Sequence, residues 1–174
     1  MVPLTFVPPF PAYPPETSWM REPRTDIPAL ILSQRGKSRI AFLPADIDRR
    51  YAREHLTDHG DQLANVVRWA AGDSIPLSIQ GRGYLDCHLY RQPGRPILHV
   101  VNLTSAGTWR APVEEFIPVG PIQVRVKLPS DAAPREARLL VSEGARPVTV
   151  KGGEASFELV SILDHEAVVI PLNS

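Results

Sequence analysis

The first side chains in this sequence with an arrangement suited to chemistry are the carboxylates of Asp46 and Asp48. If both continue a strand, they point to the same side, where they could hold a divalent cation or act as an acid and a base. Two oxygen ligands are too few for a metal site, and Arg49 is one of three arginines close by. Surface charges of this kind usually pair without further function. We therefore favour a salt-linked polar loop at a strand end.

Four of the histidines are weaker candidates for metal binding. His55 and His59 are four residues apart, but they straddle the predicted start of a helix and so do not share a helix face. His88 and His99 lie in predicted strands and are expected to be hydrogen-bonded structural groups. We predict no metal site and no cofactor.

Nucleophilic catalysis has little support in the sequence. Cys87, the single cysteine, alternates with Leu85 and Leu89 and is predicted to be a small core residue. Ser161 and His165 are near neighbours in sequence, which does not supply the geometry of a catalytic triad, and no Gly-x-Ser-x-Gly segment occurs. We expect no self-contained active site and predict that the chain is not an enzyme.

Composition excludes several classes of partner. The 174 residues carry 19 basic and 19 acidic side chains, so the formal net charge is zero and there is no long-range attraction for nucleic acid or an anionic membrane surface. A hydrophobic fraction of 43% is typical of a globular chain. No apolar stretch is long enough to span a membrane, and no secretion signal is recognisable, so the expected location is cytoplasmic.

The elements that must position any site fall into three segments. Residues 1–28 hold eight of the 19 prolines and are predicted to form an extended arm. Its aromatic side chains need a surface to bury against, and we expect that surface to be the same fold or a twin subunit, although such arms can also bind other proteins. The predicted interface residues are Phe6, Phe10, Tyr13, Trp19 and, farther along the chain, Trp69.

Residues 29–75 are predicted to form a hairpin and one helix. The apolar runs 29–32 and 40–43 are continuous rather than alternating, which indicates strands covered on both faces, as in an α/β sheet. A helix is predicted from Asp58, which would cap it, to about residue 71. Its apolar stripe must pack on a sheet and consists of Leu63, Val66, Val67 and Ala70.

Residues 76–174 are predicted to form an antiparallel β-sandwich. Eight short β-rich runs are bounded by Gly, Pro or Asp, and residues 122–128 alternate strictly between aliphatic and polar side chains. A long connection, residues 105–121, separates two of the strands and is where binding is expected. Its candidate ligand-binding residues are Trp109, Arg110, Glu114 and Glu115, the last two being adjacent and so unsuited to a paired-carboxylate glycosidase site.

Three segments together resemble a known family. They are Ile40-Ala41-Phe42-Leu43-Pro44-Ala45-Asp46-Ile47-Asp48-Arg49, then Gly60-Asp61-Gln62-Leu63-Ala64-Asn65-Val66-Val67-Arg68-Trp69-Ala70, and His99-Val100-Val101-Asn102-Leu103-Thr104 with Gly107-Thr108-Trp109-Arg110. They are similar to the C-terminal part of large bacterial glycoside-hydrolase-like proteins with a beta-galactosidase trimerisation-type domain. The resemblance implies that residues 29–75 are the end of a flavodoxin- or amidotransferase-like α/β domain, without catalytic residues, and that residues 76–174 are the closing sandwich.

The sequence thus predicts an α+β fold that is mainly β, with a partial α/β remnant followed by an antiparallel sandwich. The leading hypothesis is a non-catalytic assembly region that forms a homo-oligomer and packs on a glycoside-hydrolase barrel supplied in cis or in trans. An alternative is a carbohydrate-binding sandwich that uses the Trp109 loop. A third hypothesis is a hydrolase that acts alone through Asp46 or Asp48.

Overall fold

A computed structural model describes residues 1–72, 74–104 and 115–172. The chain divides into two compact units, residues 1–75 and residues 76–174. Three antiparallel sheets and two α-helices make up the described structure. The predicted α+β class with a mainly β composition is therefore confirmed.

The first unit contains a small sheet of three strands, β1 (Leu4–Thr5), β2 (Pro28–Arg35) and β3 (Ser38–Phe42). Their order in the sheet is β1-β2-β3, and both pairings are antiparallel. The predicted hairpin is confirmed as β2 and β3. The start of the predicted arm is extended, as β1, and pairs with β2. The arm is not extended throughout, because residues Pro15–Thr17 form a short 3-10 turn.

Two helices follow the hairpin, α1 (Ile47–Glu54) and α2 (Thr57–Ala70). The prediction of a polar loop at Asp46, Asp48 and Arg49 is wrong, because α1 begins there. No proline or glycine interrupts residues 45–59, so the chain is free to be helical. An ion pair one helical turn apart, between Arg50 and Glu54, supports α1.

The boundary between the helices differs from the prediction. Leu56 occupies the N-cap of α2, so Asp58 lies in the first turn and does not cap the helix. His55 ends α1 in the left-handed conformation and His59 belongs to α2, so the two imidazoles do not share a helix face. A Cβ atom on Gly60 would lie 2.7 Å from Cε2 of Tyr51, so this glycine lets the Tyr51 ring pack on α2.

The second unit is a sandwich of two antiparallel sheets. The strands are β4 (Leu77–Gln80), β5 (Leu85–Gln92), β6 (Arg95–Asn102), β7 (Ile122–Lys127), β8 (Glu136–Leu139), β9 (Ala145–Pro147), β10 (Thr149–Lys151), β11 (Glu154–Leu159) and β12 (His165–Val169). A four-stranded sheet has the order β10-β11-β7-β4 and a five-stranded sheet has the order β5-β6-β12-β8-β9.

The core of the second unit lies between these two sheets. The alternation predicted for residues 122–128 is confirmed, since Ile122, Val124 and Val126 are completely buried while Gln123 and Arg125 are exposed. Leu98 and Val100 of β6 and Phe157 of β11 belong to the same cluster. Burial of each large aliphatic side chain contributes about 1.5–3 kcal/mol.

Two polar residues of the described chain are buried, and both lie in the second unit: Asn102 and Glu166. The Asn102 amide donates hydrogen bonds to the carbonyls of Ile117 and Leu163, at 2.7 Å each. Glu166 accepts four hydrogen bonds, two of them from the Ser142 hydroxyl and N–H. Both side chains have hydrogen-bond partners, so burying them does not carry the free-energy cost of an unpaired polar group. Through these hydrogen bonds they fasten loops to the sheets.

Candidate functional site

Most of the loop predicted to bind a ligand lies outside the described residues. Trp109, Arg110 and Glu114 belong to residues 105–114, which the structure does not describe. Glu115 is described and its side chain is exposed. The proposal that this loop binds carbohydrate stays a prediction.

The polar residues at the end of β3 form a local ion pair at the start of α1. Arg49 Nη1 lies 3.3 Å from Asp46 Oδ2, and both side chains are largely exposed. Asp48 is also exposed, in the first turn of the helix, where a carboxylate interacts favourably with the helix dipole. The structure pairs Asp46 with Arg49 at the surface, as the sequence favoured, although at the start of a helix instead of in a loop.

The aromatic side chains of the arm are exposed to solvent. Phe6 and Phe10 are each 41% exposed, Trp19 is 55% exposed and Tyr13 is 82% exposed. The Phe6 N–H donates to the Ile27 carbonyl at 2.8 Å, so both ends of the segment between them are held together. Within the described residues of one chain these rings are not buried. Their burial against a second copy stays a prediction.

Trp69 is the one predicted interface residue that is half-buried. Arg39 of β3 holds this segment in two ways. Its Nη1 donates a 2.7 Å hydrogen bond to the Trp69 carbonyl, and its guanidinium carbon lies 5.8 Å from the centre of the indole ring. Such cation–π contacts add about 0.5–1 kcal/mol at exposed sites. Arg39 therefore holds the Trp69 indole next to β3 of the small sheet.

The β2–β3 hairpin has two apolar faces, as its continuous apolar runs predict, but they are covered unequally. Residues paired across antiparallel strands share a face, and neighbours along a strand alternate. Leu32 and Arg39 lie on the face toward α2. The other face carries Ile31, which pairs with Phe42, and Ile40, which pairs with Ser33.

On that second face, Ile40 is 49% exposed and Phe42 is 58% exposed. We call the surface formed by Ile31, Ile40 and Phe42 the open face. Its residues were not predicted as interface residues. The continuous apolar runs of the hairpin nevertheless indicated a second apolar face, because a strand covered on one side only alternates between apolar and polar residues.

The predicted apolar stripe of α2 is only partly packed. Leu63 and Val66 are half-buried, but Val67 is 61% exposed and Ala70 is exposed as well. Neither helix contains a buried residue. The expectation that this stripe packs fully on a sheet is therefore wrong for the described residues. The sheet of the first unit has three strands, one of which is two residues long, so it covers only part of α2.

A second cluster of polar side chains lies on the outer face of the five-stranded sheet. His99 Nδ1 and His165 Nε2 are 3.2 Å apart, and the two rings lie at 14° with their centres separated by 5.4 Å. The two nitrogens are therefore within hydrogen-bond distance, and the ring tautomers decide which of them donates. His88 pairs with Asp86 at 3.1 Å. These contacts agree with the expectation that His88 and His99 are hydrogen-bonded.

Cys87 packs against the core of the second unit from β5. Burial raises the pKa of its thiol, and the nearby charge of Asp86 raises the pKa further. A raised pKa keeps the thiol protonated near neutral pH, and the thiolate is the reactive form. The predicted structural role of Cys87 agrees with this position.

The described residues contain no group of three or more His, Cys, Asp or Glu side chains placed to hold a metal ion. None of the helices in the described part of the chain is long and apolar enough to cross a membrane.

Comparison with solved structures identifies the fold. The structure is similar to the alpha-L-fucosidase isoenzyme 2 from Paenibacillus thiaminolyticus, with a TM-score of 0.69 and 17% identity, over 91% of this chain and 24% of that chain. A cycloisomaltooligosaccharide glucanotransferase from Paenibacillus sp. matches 60% of this chain and 19% of its own, with 15% identity and a TM-score of 0.38. No protein-family model and no curated protein match the sequence.

The chain spans about a quarter of the length of that fucosidase. At this level of identity the similarity concerns the fold. The chain therefore shares its β-rich fold with a region of a glycoside hydrolase.

Proposed function

We propose that this chain is a non-catalytic accessory region of a glycoside-hydrolase-like protein and that its first unit mediates assembly through the open face. The observation that carries the proposal is the unequal burial of the two units. Among the described residues, the first unit buries one hydrophobic side chain, Leu30, whereas the second buries fifteen.

A unit of about 75 residues normally needs a larger core than this. Chains of similar size bury about 60% of the surface that the unfolded chain exposes. The open face instead presents two large apolar side chains to water, next to a half-buried isoleucine. Covering apolar surface is favourable by about 25 cal/mol per Å². A partner that covers the open face would therefore stabilise the first unit as well as join it to another surface.

The resemblance to proteins with a trimerisation-type domain supports the same function. It implies that the first unit ends an amidotransferase-like α/β domain whose sheet continues beyond these strands. We propose a second copy of the chain as the partner that covers the open face. The resemblance adds a glycoside-hydrolase barrel, in cis or in trans, as a further neighbour.

Light scattering of the purified chain over a hundredfold range of concentration tests the proposal. The monomer mass is 19.2 kDa, and we expect a stable dimer or trimer. Phe42→Asp places a charge on the open face and should return the mass to that of the monomer. A wild-type chain that is monomeric at every concentration would contradict the proposal.

Leu140→Asp is the matched control. Leu140 is 59% exposed, close to the 58% of Phe42, but it belongs to the second unit. The control should keep the oligomer. If both variants dissociate equally, a general effect of added charge is responsible and the open face is not the interface. Circular dichroism of both variants shows whether each is still folded.

A further inference from the structure

Two histidines of the second unit, His99 and His165, meet on the outer face of the five-stranded sheet, and we call them the imidazole pair. They are 66 residues apart in sequence and lie on the neighbouring strands β6 and β12. His165 is opposite Val101 and His99 is opposite Ala167, so the two histidines are diagonal neighbours on one face. Because Ala167 is small, the His99 ring has room to lean toward His165.

The distance between the two ring nitrogens suits a shared metal ion. His99 Nδ1 lies 3.2 Å from His165 Nε2, and the ring planes differ by 14°. Two imidazole nitrogens that bind one Zn²⁺ tetrahedrally, each at about 2.0–2.1 Å, are about 3.3–3.4 Å apart. The ion would lie to one side of the line between the nitrogens, so each ring turns by about 35° to reach it. The strands themselves do not have to move.

Binding an ion also fits the protonation of the pair. A neutral imidazole has one N–H and one nitrogen with a free lone pair. In the hydrogen-bonded pair one of the two facing nitrogens carries a proton. When both facing nitrogens bind an ion, that proton moves to the remote nitrogen of the same ring, which is the usual arrangement of a neutral histidine ligand.

The surroundings hold the pair in position. Tyr90 contacts the His99 ring edge-on, with the ring centres 5.7 Å apart and the planes at 90°. Both histidines are half-buried. Their strands, β6 and β12, are interior strands of the five-stranded sheet. Ligands on such regular elements are held more precisely than ligands on loops, which favours binding.

The charge of this face favours a cation. Asp86 is opposite Val101, as His165 is from the other side, so its carboxylate lies on the same face as the pair. Arg95 and Arg138 share that face, but their backbones lie four residues farther along the strands, about 13 Å away. The carboxylate is therefore nearer to the pair in backbone position, and a negative charge stabilises a bound cation.

The ligand type narrows the choice of metal. Imidazole nitrogens suit Zn²⁺, Cu²⁺ and Ni²⁺, whereas Mg²⁺ and Ca²⁺ prefer oxygen ligands. The described residues supply no group of three ligands, so water completes the coordination around the two imidazoles. Such an open site binds more weakly than a structural site with four protein ligands.

We propose that His99 and His165 bind a divalent transition-metal ion of this group and that the ion fastens β12 to β6. The inference goes beyond the assembly function, which concerns the first unit. The sequence alone predicted no metal site, because only the pairing of β6 with β12 brings these two histidines together.

Titration of the intact chain with Zn²⁺ at pH 7, followed by NMR of the imidazole C–H signals, tests the proposal. The protein is purified without a histidine tag. Each of the five histidines is assigned by the loss of its signals when glutamine replaces it. We expect the His99 and His165 signals to shift saturably, with a Kd of about 100 µM or tighter. No saturable shift up to about 1 mM Zn²⁺ would overturn the proposal, as would shifts confined to other histidines.

His165→Gln and His88→Gln form a matched pair of variants. Each removes one imidazole from the same face of the sheet, but His88 pairs with Asp86 and does not belong to the imidazole pair. We expect His165→Gln to weaken Zn²⁺ binding at least about tenfold and His88→Gln to change it less than about twofold. Equal weakening in both, or weakening in His88→Gln alone, would overturn the assignment. If circular dichroism shows that His165→Gln is unfolded, His99→Gln takes its place.

The order of affinities tests the choice of metal. Cu²⁺ should bind the pair more tightly than Zn²⁺, and Mg²⁺ should not shift the two sets of signals. Mg²⁺ binding with an affinity equal to that of Zn²⁺ would contradict the assignment to imidazole nitrogens.

Two further measurements test the consequences of binding. Zn²⁺ should raise the melting temperature of the wild type but not of His165→Gln, because an ion that binds only the folded state stabilises it. An equal rise in both would show that the ion does not fasten β12 to β6. Phe42→Asp should bind Zn²⁺ with the wild-type Kd whatever its oligomeric state. Loss of binding in that variant would refute the separation of this site from assembly.

Discussion

Replacing Glu166 by glutamine tests the physical account of the sandwich most directly. Glu166 is 3% exposed and its carboxylate accepts four hydrogen bonds. Oε1 accepts from the N–H groups of Val141 and Ala167, both at 3.0 Å. Oε2 accepts from the Ser142 N–H at 3.1 Å and from the Ser142 hydroxyl at 2.6 Å. The side chain thereby fastens the turn after β8 to β12.

The expected loss of stability in Glu166→Gln follows from these contacts. Glutamine has the shape of glutamate, but its amide nitrogen donates, so two of the four donors lose their acceptor. A hydrogen bond to a charged group contributes about 1.5–3 kcal/mol, so Glu166→Gln should lower the free energy of unfolding by about 3 kcal/mol. For a unit of this size the melting temperature should fall by roughly 15 °C. Thermal unfolding followed by circular dichroism at pH 7 measures both quantities.

The pH dependence of the stability difference between wild type and Glu166→Gln is a second, independent test. Burial raises the pKa of the Glu166 carboxyl, but the hydrogen bonds from Ser142, Val141 and Ala167 outweigh burial and hold the pKa below its ordinary value. Because the folded pKa is the lower one, the stabilisation is fully present above the unfolded pKa of about 4.3. It is lost as the pH falls through the folded pKa. The difference in stability between wild type and Glu166→Gln should therefore shrink as the pH falls below about 4.

The control is Glu143→Gln, which changes an exposed glutamate and should alter stability by less than about 0.5 kcal/mol. The reasoning is refuted if Glu166→Gln is as stable as this control. A stability difference that stays constant down to the acid-unfolding range would also refute the assignment of the effect to the ionised carboxylate.

The remaining predictions concern two other positions in the sandwich. Gly120→Ala should unfold the second unit or destabilise it by at least about 3 kcal/mol, because the new Cβ would lie 2.1 Å from the Val160 carbonyl oxygen at a φ of 155°. Urea denaturation checks this, and a stable Gly120→Ala protein would contradict the backbone geometry. The Cys87 thiol should react with a disulfide reagent at pH 8 at least about tenfold more slowly than after unfolding, since burial raises its pKa. Equal labelling rates in the folded and unfolded protein would show that the thiol is not protected.

The sandwich was the most predictable part of the chain. Side chains on a strand alternate with a period of two, so the pattern Ile122, Val124, Val126 identifies the buried face before any partner is known. Cys87 was placed on the core side by the same alternation. These inferences depend on the local chain alone, and the structure confirms them.

The helices show where local reasoning fails. The segment that forms α1 is highly charged, and its apolar side consists only of Ile47 and Tyr51, so its sequence resembles a loop. Its helix is supported by the Arg50–Glu54 pair and by the Tyr51 ring against Gly60, and the second of these contacts exists only once α2 lies beside it. The predicted cap at Asp58 was wrong for a related reason, since the end of α1 sets where α2 can begin.

By itself, the sequence determined the hairpin from its continuous apolar runs and the strands of the sandwich from their alternation. It also determined the class of fold and the positions of the surface charges. Only the tertiary structure decided which face of the hairpin α2 covers, that Phe42 is left on the open face, and that His99 and His165 meet on one face of the sandwich. The physical reason is that periodicity specifies which side of an element is apolar. Which neighbour covers that side, and how closely, depends on contacts between residues far apart in the chain.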